Sequence, residues 1–476
     1  MRRDAFAALV VAAQVAACAT LPAPAPATAP IAPGWYAPLP HGGTLAALEH
    51  WWAQFDDPAL SRLVDAAETV SPDIASAGAR IADARARRTA AGAALLPSLG
   101  ATVSATRGRQ DLSFPIGTSE AAGLQASWEL DVFGRGRAAR DAAESRLAGA
   151  ASRWHAARVS VAAETANLYV ELRACEARLA QARLDADSRG ETARLTGLSM
   201  KSGFESRANA ALTLASASQA LFAVKQTALQ CEQDVKALVA LTGVAEPEMR
   251  ALLGNAVARL PEPAAIAVPR VPAEALAQRP DVDARARDVV AASADIAEAR
   301  AEQWPRITLA GSVGAARFES GGYSADGRTW SIGPVSVSLP LFDAGARRAN
   351  VVAARARYDE AASAYAATLR GAVRDVENAL LALQGTADRS ADAQTAADNF
   401  GVSFRAAEAR YKSGFGTLFE LEDARRSALA AQNSLIDLRR ERVAAWIALY
   451  RALGGGWSQG TDPRTAANAA SAPATP

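Results

Sequence analysis

Apolar side chains recur at helical spacing in two long windows that contain no proline, residues 116–246 and 341–462. In the second window Val373, Val376 and Leu380 lie three and four residues apart, so they share one face of a helix. Proline would break such a helix, because it lacks the backbone donor and its ring clashes with the preceding turn. Each window therefore predicts helix over most of its length.

A Lys-Ser-Gly-Phe segment gives each window its most obvious break, at Gly203 and at Gly414. An unbroken helix from Phe133 to near Leu198 would be about 100 Å long at 1.5 Å per residue. Helical patterns of this length are typical of coiled coils. Each window thus predicts a long antiparallel helical hairpin with its tip at that glycine.

The pattern changes to alternation after two shorter helices, which prolines bracket at residues 72–97 and 280–305. Ile307, Leu309 and Val313 alternate with small or polar residues, as in a strand with one apolar face. In the last strand the alternation changes phase, which predicts a β-bulge at Pro334. The predicted strands are about 98–109, 121–132, 306–317 and 329–340, joined by loops at 107–120 and 318–329.

Both halves of the chain carry the same short anchors in the same order, about 210 residues apart. The first copy has Ser71–Ile74, Leu96–Leu99, Phe133–Gly136, Lys201–Phe204 and Leu241–Gly243. The second copy has Arg279–Val282, Trp304–Ile307, Phe342–Gly345, Lys412–Phe415 and Ala452–Gly454. An internal duplication follows, with one helical hairpin and one strand pair in each copy.

This duplication predicts the organisation of the whole chain. The expected parts are a signal peptide (1–17), an extended tether (18–45), a first repeat (46–244), a linker (245–278), a second repeat (279–455) and a disordered tail (456–476).

The N-terminus has the features of a targeting segment. Arg2 and Arg3 precede an apolar stretch, and the sequence Val-Ala-Ala-Cys ending at Cys18 resembles the lipobox of bacterial lipoproteins. That resemblance implies a covalent lipid on Cys18, and Ala19 after it implies the outer membrane as destination. The alternative is an ordinary secretory signal cut near Ala17.

Composition excludes several functions. The net charge of only +1 lacks the excess of basic residues that is typical of nucleic-acid-binding proteins. After the N-terminus no apolar run is long enough for a transmembrane helix. The sequence also lacks a phosphate loop, a metal-ligand cluster and a nucleophile–base pair, so we expect neither an enzyme nor a metal or other cofactor.

The four strands of about ten residues suit a tilted membrane-spanning strand. A four-stranded sheet cannot close on itself, and open edges in lipid leave backbone groups unpaired at several kcal/mol each. Single-chain barrels start at about eight strands. If the strands span a membrane, several chains must share one barrel.

Four segments resemble the TolC-like outer-membrane efflux proteins, in the lipoprotein branch that serves resistance-nodulation-division (RND) pumps. They are Trp51–Pro58, Arg279–Val282, Leu339–Gly345 and Tyr411–Phe415. The resemblance implies a mainly α-helical homotrimer with a twelve-stranded membrane β-barrel and a long periplasmic tunnel. It also implies passive export of small molecules delivered by an inner-membrane RND pump through a periplasmic adaptor.

The resemblance implies site residues as well. In the family, acids six and nine residues after the second tip glycine ring the aperture, and these positions are Glu420 and Asp423. The corresponding first-tip position is Asn209, which is not acidic, and Tyr411 is either a hydrogen-bonding latch or an aromatic packing residue. The adaptor is expected to dock on the tip turns, Ser202, Gly203, Phe204, Ser413, Gly414 and Phe415.

The cysteines give one expectation that does not depend on the family. Cys175 lies 28 residues before Gly203 and Cys231 lies 28 after it, so the hairpin brings them level. In an oxidising compartment they would form a disulfide that braces the hairpin, and the alternative is a pair of buried thiols.

A periplasmic adaptor, or a structural coiled-coil lipoprotein, is the alternative function. Adaptors have one hairpin flanked by compact β domains, whereas this sequence predicts two hairpins that each carry a strand pair.

Overall fold

The fold was examined in a computed structural model that describes residues 34–37, 51–55, 57–109, 115–262 and 272–457. The signal peptide and Cys18 lie outside these residues. The helices are α1 (Pro58–Val70), α2 (Pro72–Ala93), α3 (Arg135–Lys201), α4 (Arg207–Thr242), α5 (Glu246–Leu253), α6 (Pro272–Leu276), α7 (Pro280–Ala301), α8 (Ala346–Lys412) and α9 (Leu418–Ala452). The strands are β1 (Ser98–Gly108), β2 (Gly117–Leu130), β3 (Arg306–Ser320) and β4 (Tyr323–Ser338).

The described chain divides into two compact units. The first unit holds residues 78–152 and 283–367, with all four strands. The second holds the described residues of 30–77, 153–282 and 368–476, with both hairpin tips.

The strands of the first unit form one antiparallel sheet in the order β1-β2-β3-β4, so β2 and β3 join the two repeats. Directly paired residues share a face, and one face carries an apolar band over the first half of β1 and β3 and charged residues such as Glu120, Arg317 and Asp326 beyond it. The other face is made mostly of small and polar residues. Two apolar rows are Leu99, Ala126, Gly311, Ile332 and Ala101, Leu124, Val313, Trp330. Two polar rows are Gly100, Gln125, Ser312, Ser331 and Thr102, Gly123, Gly314, Thr329.

The strand ends differ from the sequence prediction. The predicted loop at 318–329 is wrong, because β3 continues to Ser320 and β4 begins at Tyr323. Gly321 and Gly322, at φ +56° and +87°, make the tight turn between them. The predicted bulge is confirmed: Leu309 pairs with Val335 and Gly311 with Ile332, so Ala310 faces both Gly333 and Pro334.

Each repeat contributes one hairpin, α3 with α4 and α8 with α9, and both long helices have 67 residues. In the second unit Trp51 is 1% exposed and stacks on Tyr450, with ring centroids 5.0 Å apart. The linker predicted at 245–278 includes two short helices, α5 and α6. No helix in the described part of the chain has an apolar stretch long enough to cross a membrane.

The Arg279–Val282 motif has a structural role in this unit. The Arg279 guanidinium donates to the Asp281 carboxylate at 2.7 Å and to the Ala452 carbonyl at 3.1 Å. Burial is the largest single effect and raises the pKa of the Asp281 carboxyl, but the hydrogen bond and charge of Arg279 and the nearby backbone amides together leave that pKa below its ordinary value. The motif therefore ties the start of α7 to the end of α9.

The two level cysteines of the first hairpin are bonded. Cys175 on α3 and Cys231 on α4 form a disulfide with their Cα atoms 5.6 Å apart. This Cα separation lies within the range that a disulfide bridges.

Candidate functional site: the hairpin tips

The two tips have the same backbone turn. Gly203 and Gly414 have φ of +79° and +78°, which favours glycine. The next amide donates back to the helix, Phe204 to the Ser199 carbonyl and Phe415 to the Arg410 carbonyl, both at 2.9 Å.

The tips present phenylalanine to solvent. The side chains of Phe204 and Phe415 are 88% and 81% exposed, and Phe419 one turn further is 79% exposed. Exposed phenylalanine side chains at the ends of both hairpins, one at the first tip and two at the second, indicate surfaces that another molecule covers.

The two predicted aperture acids lie at the start of α9. Glu420 forms a capping box with Thr417, since each side chain bonds the backbone amide of the other residue. Its carboxylate is 3.8 Å from Arg410, and that of Asp423 is 3.9 Å from Arg426. Both carboxylates are at least half exposed, so their charges face water in the isolated chain.

Asn209 has a local role at the first tip. Ser206 caps α4 by accepting from the Asn209 amide at 3.0 Å. The Asn209 side chain donates to the Glu205 carboxylate at 2.8 Å. The first tip thus has its own capping contacts and no acid at the position equivalent to Glu420.

Tyr411 connects the two hairpins. Its hydroxyl lies 3.0 Å from the hydroxyl of Thr196, which is 2% exposed on α3. The structure therefore contains this hydrogen bond, and a role for it as a latch stays a prediction.

A buried ion network lies behind the tips, and sequence reasoning missed it. The Glu422 carboxylate on α9 accepts from Arg189 on α3 at 2.6 Å and from Ser216 on α4 at 3.2 Å. It also accepts from Arg425, one turn further along α9. We call Glu422, Arg189 and Arg425 the inter-hairpin ion cluster.

Arg425 is the most deeply placed member of this cluster, at 2% exposure. Its guanidinium donates to the hydroxyls of Ser188 and Thr192 on α3, at 3.1 and 3.0 Å. Burial lowers the pKa of Arg425, and Glu422 opposes that shift. Glu422 is therefore the main compensating charge for a buried cation.

A signal for this cluster was present in the sequence. Glu171, Arg178, Asp185 and Thr192 recur every seven residues on α3, where a coiled-coil seam would have apolar residues. Arg178 confirms that this line faces α9, because it donates to Asp437 at 2.7 Å. The seam between the hairpins is ionic, whereas the first hairpin is held internally by a disulfide.

The model of the family described as outer membrane efflux protein matches residues 63–244 and 271–455, one match for each repeat. The chain belongs to this family. The outer membrane protein OprJ of Pseudomonas aeruginosa is 32% identical over 97% of this chain and 98% of its own. The solvent efflux pump outer membrane protein SrpC of Pseudomonas putida is 30% identical over 85% of this chain and 87% of its own.

Solved structures agree with this assignment. The outer-membrane channel OprN has a TM-score of 0.81 at 27% identity, over 92% of this chain and 98% of its own. The chain is thus an outer-membrane efflux protein with the fold of these channels. The adaptor alternative predicts one hairpin, and the structure has two.

Proposed function

We propose that this protein is the outer-membrane channel of a tripartite efflux system, in which an RND pump and a periplasmic adaptor deliver small molecules to it. The observation that carries the proposal is the combination of two exposed hairpin tips with a sheet that has an apolar band on one face and mostly small and polar residues on the other. The channel itself is passive and performs no enzymatic step, because the pump supplies the energy.

The sheet supports assembly from three copies. Among the residues that the structure describes, β1 and β4 each pair on one side only, so the described sheet ends in two unpaired edges. Edge-to-edge pairing of three such sheets would give a closed barrel of twelve strands, which satisfies every backbone group in lipid. The apolar face would then meet lipid and the Ser/Thr/Gly face would line the pore.

The second tips would form the aperture. Three copies of Glu420 and Asp423 around one axis would place six carboxylates in a narrow neck, which favours cations. Tyr411 and the inter-hairpin ion cluster would hold each second hairpin in place, while Asn209 keeps the first tip uncharged at the matching position.

The exposed tips would receive the adaptor. Phe204 and Phe415, with Ser202, Gly203, Ser413 and Gly414, offer six similar turns in a trimer, enough for a repeating set of contacts. A lipid on Cys18 would anchor the chain in the outer membrane beside the barrel.

Deletion of the gene in the organism that encodes it tests this function. Accumulation of a hydrophobic dye should rise in the deletion strain and return to the original level when the wild-type gene is restored. A variant with Phe204→Asp and Phe415→Asp should reach the outer membrane as a trimer yet fail to restore efflux. Unchanged dye accumulation in the deletion strain, under conditions that express the gene, would contradict the proposal.

A further inference from the structure

The second unit contains a groove outside the tips. It lies between the start of α1, the segment after α5, and helices α8 and α9, and its volume is about 1570 Å³. Its floor is apolar, with Phe55, Leu438 and Trp446, each at most 8% exposed. Small-molecule sites usually measure about 300–1,000 Å³, so this groove suits a longer ligand.

Four arginines surround this floor: Arg62, Arg259, Arg439 and Arg442. All four are exposed. Arg439 donates to Gln394 at 3.0 Å. The other three form no hydrogen bond or ion pair with any residue that the structure describes.

The acids that line the groove do not neutralise these charges. Asp57 caps α1 by accepting from the Ala59 amide at 3.1 Å, and it also accepts from the Tyr169 hydroxyl. Glu262 is the other lining carboxylate. The groove therefore combines an apolar floor with an excess of positive charge.

The wall that carries Arg259 is fixed by buried contacts. The Ala258 amide donates to the Glu176 carboxylate at 2.8 Å. The fully buried Arg173 donates to the Leu253 carbonyl at 3.0 Å. A ligand would meet a preformed wall, which lowers the entropy lost on binding.

Most of the hairpin residues that line the groove belong to the second repeat. Thr386 and Arg442, which line it, lie 28 residues before and after Gly414. The equivalent positions in the first hairpin are the bonded Cys175 and Cys231. At these positions the two repeats have thus diverged: the first has a disulfide, and the second lines a basic groove.

We propose that the groove binds an acidic peptide segment of a partner protein, with apolar side chains on the floor and carboxylates beside the four arginines. Charge complementarity and the volume of the groove select this occupant. Arg439 and Arg442, one turn apart on α9, would contact successive carboxylates of an extended peptide. The site is separate from the tips, so it is independent of adaptor docking there.

Fluorescence anisotropy with the full-length protein in detergent tests this site. The probe is a fluorescein-labelled ten-residue peptide of alternating Glu and Leu, with the Lys-Leu and Gln-Leu peptides and empty micelles as controls. The Glu-Leu peptide should bind more tightly than both controls, and binding should weaken with salt. Equal binding of the three peptides would overturn the proposal.

Variants locate the binding. Arg439→Gln with Arg442→Gln should weaken binding of the Glu-Leu peptide by about tenfold, since two partly screened charge pairs are lost. Arg183→Gln with Arg405→Gln removes two exposed charges elsewhere in the same unit and should leave affinity unchanged. Charge reversal to Glu at 439 and 442 should transfer preference to the Lys-Leu peptide.

The competing occupant is a second copy of this chain. Arg442→Cys in the assembled protein should react with a soluble maleimide and form no cross-link to a neighbouring copy. A high-yield cross-link between copies through this position, or loss of peptide binding in the control variant, would overturn the proposal. Retention of the trimer by each variant in gel filtration shows that it is folded.

Discussion

Substitution of Glu422 by Gln tests whether the inter-hairpin ion cluster holds the channel closed. The change keeps the size of the side chain and removes the charge that faces Arg189 at 2.6 Å and the buried Arg425. Arg189 retains Asp185 at 2.8 Å, but Arg425 retains only the two hydroxyls of α3 as described hydrogen-bond partners. The variant should therefore favour states in which the second hairpin separates from the first.

The magnitude follows from burial. Breaking a buried ion pair by removing one partner costs about 3–5 kcal/mol. Glu422 and Arg189 are each 16% exposed, so we expect solvent to reduce this to about 2–3 kcal/mol in each protomer. At 1.4 kcal/mol per tenfold change, the equilibrium for separation of the second hairpin should shift toward the open state by roughly 30-fold to 140-fold in each protomer.

The assay is the open fraction of single channels in planar lipid bilayers at fixed voltage and salt. Glu441→Gln is the matched control, because it removes a charge of the same helix from a surface ion pair with Arg389, away from the cluster and the tip. Adding Arg425→Met to Glu422→Gln removes the unpaired cation and should return the open fraction part of the way to wild type. An open fraction for Glu422→Gln equal to that of wild type would refute the reasoning.

Three other predictions concern separate parts of the molecule. Cys175→Ser with Cys231→Ser opens a loop of 56 residues, so the free energy of unfolding should fall by about 4 kcal/mol in chain-entropy terms, and the urea midpoint followed by circular dichroism should fall with it; an unchanged midpoint would show that the bond does not brace the hairpin. Gly314→Val places a Cβ 2.5 Å from the oxygen of the Ala122 carbonyl, so we expect the variant to form no trimer in gel filtration. Gly327→Val, on β4, has open space around its Cβ and should form the trimer normally. Burial lowers the pKa of His155 to about 4, and the nearby charge of Arg158 adds to this shift. Between pH 6.5 and pH 4 the unfolded chain therefore binds more protons at His155 than the folded chain does, so the free energy of unfolding falls as the pH is lowered. We expect a loss of about 1 kcal/mol at pH 5 after allowance for partial exposure, measured by denaturant titration, and His155→Gln should remove it; an equal loss in that variant would assign the effect to other groups.

Patterns within each segment of the sequence were sufficient to predict the long helices and the turns between them. The hairpins could be predicted because 67-residue helices need a long stretch without proline, and because Gly203 and Gly414 occupy a backbone conformation that other residues avoid. The bulge at Pro334 could be predicted because proline has no backbone N–H to donate to the neighbouring strand, and the alternation of apolar residues changes phase at that point.

Long-range pairing explains what the sequence did not reveal. Residues 318–329 have the glycine, serine and aspartate content of a loop, yet hydrogen bonding to the neighbouring strand extends β3 and β4 through most of them. Arg189 and Glu422 are 233 residues apart, and on separate helices each resembles an ordinary solvated charge. Only the packing of α3 against α9 shows that these charges neutralise each other.

The central claim is a channel whose aperture is ringed by the acids of the second tip. The most direct measurement is the reversal potential of the purified full-length protein in a planar bilayer under a tenfold KCl gradient. We predict stepwise conductance with cation selectivity, and loss of that selectivity when Glu420→Gln and Asp423→Asn are combined. Absence of conductance from a trimeric preparation, or the same reversal potential in the double variant, would contradict the account.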